Sequence, residues 1–327
     1  MTDMNPKRRH ESPLFSPFLV VVAGLAWWFF LPDQLGLLTK LAYTALFVIS
    51  LDLVVGIAGL PSLGHAALFG VGAYAAGIFA TFVSPDPLVG LFIGALAGSL
   101  TAALSGLFLL RFQGFTFLML TVATSQVLLS LANKFRDLTG GDDGLASYVM
   151  GGVFGVWDFD LYGKVASVYA VASLSIGYFV ALKFKSSPFG LSVRGIHENR
   201  TRMVAIGTPI FLRLWVTYVF AGLLAGIAGA ISAQTNGIVA LDSLSFNLSA
   251  EALVMLILGG VGRLHGAVLG TLIFGVLHHT AASLNPYHWM FAVGAILMVV
   301  VVVPRDTLLA TLRSLVIKQP NRHRAQP

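Results

Sequence analysis

Asp52 is the clearest residue in this chain that could do chemistry inside an apolar protein. It lies in the apolar run 41–60. An ionised carboxylate is costly to hold in such a segment, and it usually faces a partner or water. Two interpretations stay open: an acid that serves a pathway between helices, or a hydrogen-bonded structural acid.

A glycine- and proline-containing interruption follows Asp52 and separates two apolar runs. Its notable members are Gly59, Ser62, Gly64 and His65. Discontinuous helices use such breaks to present free backbone groups to a pathway. A tight cytosolic turn with Ser62 as its cap is the alternative. We predict that Asp52 and these four residues line or flank a pathway through the bundle.

A third polar stretch combines glycines with paired acids in the longest loop between apolar runs. It reads Gly140, Gly141, Asp142 and Asp143. Paired carboxylates can bind calcium, but the spacing of an EF-hand loop is absent. The stretch therefore predicts an acidic turn or a contact for an external partner, and no metal site.

The segment 183–213 is basic and interrupts the apolar sequence near its middle. Ser187 is suited to cap a helix, and Pro188 fits the first helical position. Gly207 can adopt the left-handed conformation that ends a helix, and Pro209 prevents continuation. The pattern predicts one short amphipathic helix over 187–207.

The two faces of this predicted helix differ in chemistry. Apolar residues recur at helical spacing on one side, namely Phe189, Val193 and Ile196. Charged pairs four positions apart lie on the other, Arg194 with Glu198 and Glu198 with Arg202. The segment is either a cytosolic loop that helps to orient the protein or a docking element for a soluble partner.

Motifs for catalysis and nucleotide binding are absent from the sequence. It has no Gly-x-x-x-x-Gly-Lys-Ser/Thr loop, no His-Glu-x-x-His and no recognisable nucleophile motif. It also has 0 cysteines, which removes thiolate chemistry and disulfides. We expect no enzyme and no cofactor bound by this chain.

The composition indicates a membrane protein. Hydrophobic residues make up 57% of the 327 residues and charged residues 10%, with a mean hydropathy of +0.85. A soluble domain of this length could not bury so much apolar surface, so the sequence predicts a protein embedded in lipid. Apolar runs occur at 17–31, 41–60, 64–83, 89–110, 115–133, 165–183, 211–232, 250–261, 264–280 and 286–303.

These runs predict an all-α polytopic membrane protein with about ten transmembrane helices. The run 250–261 is too short to cross ~30 Å of hydrocarbon at ~1.5 Å per residue. It and the run 264–280 are therefore predicted to be a broken or re-entrant pair. We expect a tail at 1–16, a membrane domain at 17–303 containing the cytosolic segment 185–210, and a tail at 304–327.

The basic residues predict the orientation. With the N-terminus inside, four of the 20 basic residues fall in external loops, namely Lys40, Lys134, Arg136 and Lys164. The others fall inside, as the positive-inside rule requires. Both termini and the segment 185–210 are then cytosolic. This distribution explains the net charge of +6 better than nucleic-acid binding does.

Small residues four positions apart predict close helix packing. They are Gly94 with Gly98, Gly222 with Gly226, and Gly262 with Gly266 and Gly270. Such ridges serve either static packing or a surface that slides.

Four stretches in order resemble the LivM-like permease subunits of branched-chain amino-acid ABC importers. They are Gly59–His65 with Phe69–Tyr74, Leu138–Leu145, Ser187–Gly207, and Leu258–Gly262 with Gly266. The resemblance covers roughly residues 45–280. One departure is a more basic central segment, where Arg200 replaces the glutamate found in many relatives.

The resemblance implies a role for the central segment and a set of partners. The segment would be a coupling helix seated in a separate ATPase that binds ATP and Mg2+. Its contact residues would be Phe189, Gly190, Arg194, Ile196, Glu198, Asn199, Arg200 and Gly207. The partners would be a second homologous permease, two cytosolic ATPases and a periplasmic solute-binding protein, in a bacterial inner membrane. Gly140, Gly141, Asp142 and Asp143 would contact the external partner.

Two other functions remain open from the sequence. One is a self-sufficient proton-coupled transporter that uses Asp52 or Glu251 as its relay. The other is a passive channel. Neither needs a docking helix, and the sequence has no conspicuous chain of intramembrane acids and bases.

For the importer that the resemblance implies, the transported solutes would be branched-chain amino acids or similar small polar molecules, urea and amides included.

Overall fold

The computed structural model describes Val22, Gly24 and residues 26–29, 32–146, 148, 150–153, 155, 157, 159, 163–284 and 294. The chain divides into a unit of Met1–Ile273 and a unit of Phe274–Pro327. The candidate sites belong to the first unit.

Helices dominate the described residues. In chain order they are α1 (Leu35–Asp52), α2 (Ala66–Phe82), α3 (Pro87–Leu109), α4 (Phe115–Lys134), α5 (Arg136–Thr139), α6 (Lys164–Ser186), α7 (Pro188–Glu198), α8 (Arg200–Ala205), α9 (Ile210–Asn236), α10 (Phe246–Gly259) and α11 (Leu264–Leu284). A π-helical turn, Leu53–Ile57, continues α1. Short 3-10 helices cover Pro32–Gln34, Gly141–Asp143 and Leu241–Leu244.

Six helical segments among the described residues are long and apolar enough to cross a membrane. They are Pro32–Ile57, Pro87–Leu109, Phe115–Lys134, Lys164–Ser186, Ile210–Asn236 and Leu264–Ser283. The prediction of an all-α polytopic architecture is confirmed at this level. The runs 17–31 and 286–303 lie largely outside the described residues, so ten crossings stay a prediction.

The run 250–261 corresponds to α10, which is the shortest of the apolar helices that the structure describes. Its 14 residues extend ~21 Å at ~1.5 Å per residue, less than the ~30 Å of a hydrocarbon core. Gly260, with φ of 105°, ends the helix, and α11 begins four residues later. α10 and α11 are therefore two consecutive helices joined by a short turn.

α9 is the central helix of the first unit and packs on α3, α2 and α1. Its glycines allow the approach predicted from their spacing. A methyl group at Gly226 would overlap the Gly94 carbonyl oxygen, and one at Gly98 would lie 2.5 Å from the Gly222 carbonyl oxygen. Close backbone contact of this kind replaces side-chain interdigitation between membrane helices.

The predicted ridge of Gly262, Gly266 and Gly270 is wrong in its first member. Gly262 lies in the turn between α10 and α11 with φ of 79°, so it cannot share a helical face with the other two. Close packing occurs instead between Gly259 on α10 and Gly266 on α11, because a methyl group at Gly259 would overlap the Gly266 carbonyl oxygen. The two helices are in backbone contact at this point.

A two-stranded antiparallel sheet lies at the C-terminal end of α9, and no sequence pattern predicts it. β1 (Leu145–Ala146) pairs with β2 (Ile238–Val239), with Leu145 opposite Val239. The Tyr148 hydroxyl donates a 2.7 Å hydrogen bond to the Ala233 carbonyl. Burial raises the pKa of the Tyr148 phenol, so it stays protonated as a donor. These contacts fix the loop after β1 to α9.

Candidate functional site

The corner between α6 and α7 forms as the local sequence predicts. The Ser187 hydroxyl accepts a 3.1 Å hydrogen bond from the Gly190 amide and caps α7. Pro188 occupies the first turn, where its missing N–H leaves nothing unsatisfied. A methyl group at Gly190 would overlap the Phe184 carbonyl oxygen, so only glycine lets the chain turn this tightly.

The prediction of one helix over 187–207 is wrong, because the chain breaks at Asn199. This residue is extended, with φ of −157°, and its side-chain oxygen accepts from the Arg202 amide at 2.9 Å. Asparagine commonly caps helices in this way. α7 therefore ends at Glu198 and a second helix, α8, starts at Arg200. Gly207, with φ of 84°, ends α8 as predicted.

The break separates the two predicted charge pairs. Arg194 Nε lies 3.4 Å from Glu198 Oε1, so the first pair forms. Glu198 and Arg202 stand on different helices, so their i,i+4 relation no longer applies. The Arg194–Glu198 pair is exposed, which limits its contribution to stability.

The predicted apolar face of α7 packs into the protein. Val193 and Ile196 are buried, and Phe189 is half-buried beneath the Arg213 guanidinium, whose carbon lies 4.6 Å from the ring centroid. The other predicted contact residues of this segment are exposed, except for buried Gly190 and half-buried Arg200.

Apolar side chains also lie on the outer surface of this segment. Leu191 is 60% exposed, Val204 60% and Ile206 71%. The sequence pattern does not single out these three, because the buried positions already satisfy the helical period. We call these three residues, together with exposed Arg194 and Glu198, the α7–α8 surface. It combines charge with apolar area, which is typical of a protein-binding face.

Asp52 is fully buried at the end of α1 and joins three elements. Its Oδ1 accepts a 2.6 Å hydrogen bond from the Gly262 amide, and Lys185 Nζ donates a 2.8 Å bond to the Gly262 carbonyl. The positive charge of Lys185 also stabilises the Asp52 carboxylate electrostatically. Asp52 Oδ2 has no hydrogen-bond partner among the described residues. The acid thus ties α1 and α6 to the turn before α11.

The interruption predicted between the runs 41–60 and 64–83 is present at residues 58–65, and its polar residues are enclosed. A methyl group at Gly64 would overlap the Thr121 carbonyl oxygen on α4. His65 Nε2 lies 2.9 Å from the Ser50 hydroxyl, and its ring stacks on Phe47. The Ser62 hydroxyl is buried without a partner among the described residues, so it does not cap α2. The pathway role of these residues and Asp52 stays a prediction.

The interruption contacts α7 at Gly59. Gly59 has φ of 70°, and a methyl group on it would overlap the imidazole ring of His197. His197 is otherwise exposed on α7. The sequence does not predict this contact, because Gly59 and His197 are far apart along the chain.

The acidic loop is a rigid turn with its carboxylates outward. Gly140 and Gly144 both have positive φ, and a methyl group on Gly140 would overlap the Gly144 carbonyl oxygen. Asp142 Oδ2 lies 3.2 Å from an Arg136 guanidinium nitrogen, with both side chains 68% exposed. Asp143 is exposed beside it, and Gly141 is buried. No group of three metal-ligating side chains occurs among the described residues.

Glu251 lies far along the bundle from Asp52. Its charge interacts with Lys40 and Asp242, whereas that of Asp52 interacts with Lys185. Lys40 and Asp52 both belong to α1 and stand twelve positions apart, roughly 18 Å at ~1.5 Å per residue. The two acids do not form a pair.

A family model described as the branched-chain amino acid transport system / permease component matches residues 34–302. This match covers α1 to α11 and both strands. The chain belongs to this family. The resemblance carried by the four sequence stretches is thereby confirmed.

Individual relatives agree with the family match. LivM, the high-affinity branched-chain amino acid transport system permease protein, is 24% identical in Salmonella typhimurium and in Escherichia coli. Both alignments cover 94% of this chain and 77% of the relative. The galactose/methyl galactoside import permease protein MglC of Escherichia coli is 25% identical over 65% of each chain. No solved structure matches the chain.

Proposed function

We propose that this chain is the transmembrane permease subunit of an ATP-driven importer of branched-chain amino acids or similar small polar solutes. It forms half of the translocation pathway and binds a separate ATPase through the α7–α8 surface. The complex contains a second homologous permease, two cytosolic ATPases that hold ATP and Mg2+, and a periplasmic solute-binding protein. Ten helices cross a bacterial inner membrane with both termini cytosolic.

The arrangement of α7 is the observation that carries this proposal. Val193 and Ile196 anchor it in the bundle, so it cannot move without the helices around it. Leu191, Val204 and Ile206 remain outside with the Arg194–Glu198 pair. An apolar surface with charges at its edge suits a partner that must bind in one register.

The links of α7 explain how movement would reach the pathway. It follows α6 through the tight Ser187–Gly190 corner and packs on α9. It also contacts the interruption through His197 and Gly59. A push on the α7–α8 surface would therefore act on α6, α9 and the 58–65 segment together. The rigid acidic turn around Asp142 and Asp143 would contact the solute-binding protein on the opposite side.

A proton-coupled transporter receives no support from the acids. Asp52 is engaged by the Gly262 amide, and Glu251 lies near Lys40 and Asp242. They form no relay with one another. A coupling surface on α7–α8 would also have no use in such a protein.

Site-specific cross-linking tests the proposal, helped by the absence of cysteine in the chain. Leu191→Cys and Val204→Cys should each cross-link to the co-purified ATPase subunit. Phe92→Cys is the control, because Phe92 is 62% exposed but lies on the membrane helix α3. Equal cross-linking of all three variants, or none at 191 and 204 in an assembled complex, would contradict the proposal.

A further inference from the structure

A cavity of about 650 Å³ lies between the end of α6, α7 and the turn before α11. Its cationic or imidazole side chains come from these elements and from the first turn of α11: Lys185, Arg194, His197, Arg263 and His265. Glu198 is its one acidic lining residue and pairs with Arg194. We call this the basic cavity. Its volume is in the range of sites for small ligands.

The wall of the basic cavity is held in place. Gly262 bridges Asp52 and Lys185 through its amide and its carbonyl. A methyl group at Gly56, also in the lining, would overlap Asp52 Oδ1. Arg263 follows Gly262 directly and is exposed. The turn therefore fixes the backbone that carries the Arg263 side chain.

A second cavity of about 290 Å³ runs between α1, α6 and the first turns of α11. Its lining is almost wholly apolar and includes Leu41, Ala45, Leu174, Val268, Leu269 and Leu272. We call it the apolar groove. Tyr178 and His265 line both the basic cavity and the apolar groove, so the two adjoin.

We propose that these two cavities bind one anionic phospholipid, with its phosphate in the basic cavity and an acyl chain in the apolar groove. Arginine and lysine bind phosphate oxygens through charge-assisted hydrogen bonds. Basic pockets between membrane helices on the cytosolic side take anionic headgroups. Neither a free anion nor an acidic peptide accounts for an apolar groove between membrane helices that adjoins the charges.

The lipid would come from the cytosolic leaflet, a placement that rests on the proposed orientation of α7. It would then contact α7 itself, because Leu191, Arg194 and His197 line the basic cavity. An occupied site would hold α7 against the turn before α11. Lipid composition would thus bias the element that contacts the ATPase.

Native mass spectrometry on the full-length chain with its co-purifying subunits tests this site. The complex is stripped of lipid in detergent and titrated with phosphatidylglycerol, phosphatidylcholine or inorganic phosphate. The parent should bind phosphatidylglycerol in preference to phosphatidylcholine. Arg263→Gln should weaken phosphatidylglycerol binding about fivefold, since a basic residue near an anionic headgroup contributes ~1 kcal/mol.

Two further variants test the acyl-chain part of the site and provide a control. Leu269→Trp fills the apolar groove from a position that is 54% exposed, and it should also lower phosphatidylglycerol binding. Arg111→Gln removes an exposed arginine outside both cavities and should bind like the parent.

Three results would overturn the lipid site. They are equal binding of both lipids by the parent, binding of inorganic phosphate alone, and unchanged phosphatidylglycerol binding by Arg263→Gln. Reduced ATPase co-purification by Arg263→Gln with unchanged lipid binding would assign the basic cavity to the ATPase instead. Lipid binding is measured without nucleotide and does not depend on the coupling proposal. A failure of the coupling proposal would appear in the cross-linking experiment, and the measured lipid binding would be unaffected.

Discussion

The α7–α8 segment and the 58–65 interruption both break the run of membrane helices, but they treat their polar groups in opposite ways. In α7–α8, Arg194 and Glu198 are exposed, with Val193 and Ile196 buried beneath them. In the interruption, Ser62 and His65 are buried. The first can be pushed by a partner, whereas the second can move only with the helices around it.

This difference assigns the two regions different mechanical parts. A surface that receives a partner needs exposed charge for register and a buried face for attachment. An interruption inside the bundle has to satisfy its backbone from neighbouring helices, as the Leu63 amide does by donating a 3.3 Å hydrogen bond to the Thr121 hydroxyl. The contact between Gly59 and His197 joins the two regions.

The largest effect is expected where the interruption is tightest. Gly64→Ala would force a methyl group into the Thr121 carbonyl oxygen, and we expect a loss of about 3 kcal/mol in stability. The measurement is monodisperse protein recovered in detergent and its thermal unfolding. Gly36→Ala is the control, because no described atom lies within 4 Å of a methyl group there. Equal recovery of both variants would show that the interruption is looser than described.

Asp52 should give the next largest effect. Asp52→Ala leaves the Gly262 amide without its acceptor, at a cost of about 2 kcal/mol, whereas Asp52→Asn keeps an acceptor oxygen and should unfold like the parent. Uptake by the folded Asp52→Asn variant then separates the open interpretations. Retained uptake identifies a structural acid, and lost uptake with an intact fold identifies an acid of the pathway.

The Gly59–His197 contact should give the smallest effect. Gly59→Ala is expected to destabilise both through its positive φ and through overlap with the imidazole. His197→Ala removes the overlap, so the double variant should recover about 1 kcal/mol relative to additive behaviour. A double-mutant cycle on unfolding in detergent measures this term. Additive losses would mean that the two regions are not in contact.

The α7–α8 segment was largely predictable because its signals are local. Ser187, Pro188 and Gly207 take the conformations that their residue types favour. The break at Asn199 was missed, since apolar spacing and charge pairs continued through it and asparagine also occurs inside helices.

The enclosed region could not be predicted because its contacts are distant in sequence. Gly64 needs Thr121, Ala66 needs Ser249, and Asp52 needs Gly262. The local sequence shows where the helices are interrupted, but it does not show which distant helix supplies the hydrogen bonds and contacts of the interruption. The same applies to the basic cavity, whose residues come from parts of the chain that are distant in sequence.

Coupling of ATP hydrolysis to uptake in a Glu198→Ala variant tests the central claim most directly. Glu198 is exposed at the end of α7, so its removal should leave the fold and the solute affinity of the binding protein unchanged. Uptake per ATP hydrolysed should fall at least about fivefold, the lower end of typical coupling between sites. Asp137→Ala, an exposed acid on α5, is the control and should transport like the parent. If Glu198→Ala assembles with the ATPase and transports with the parent's uptake per ATP, the α7–α8 surface does not carry the coupling.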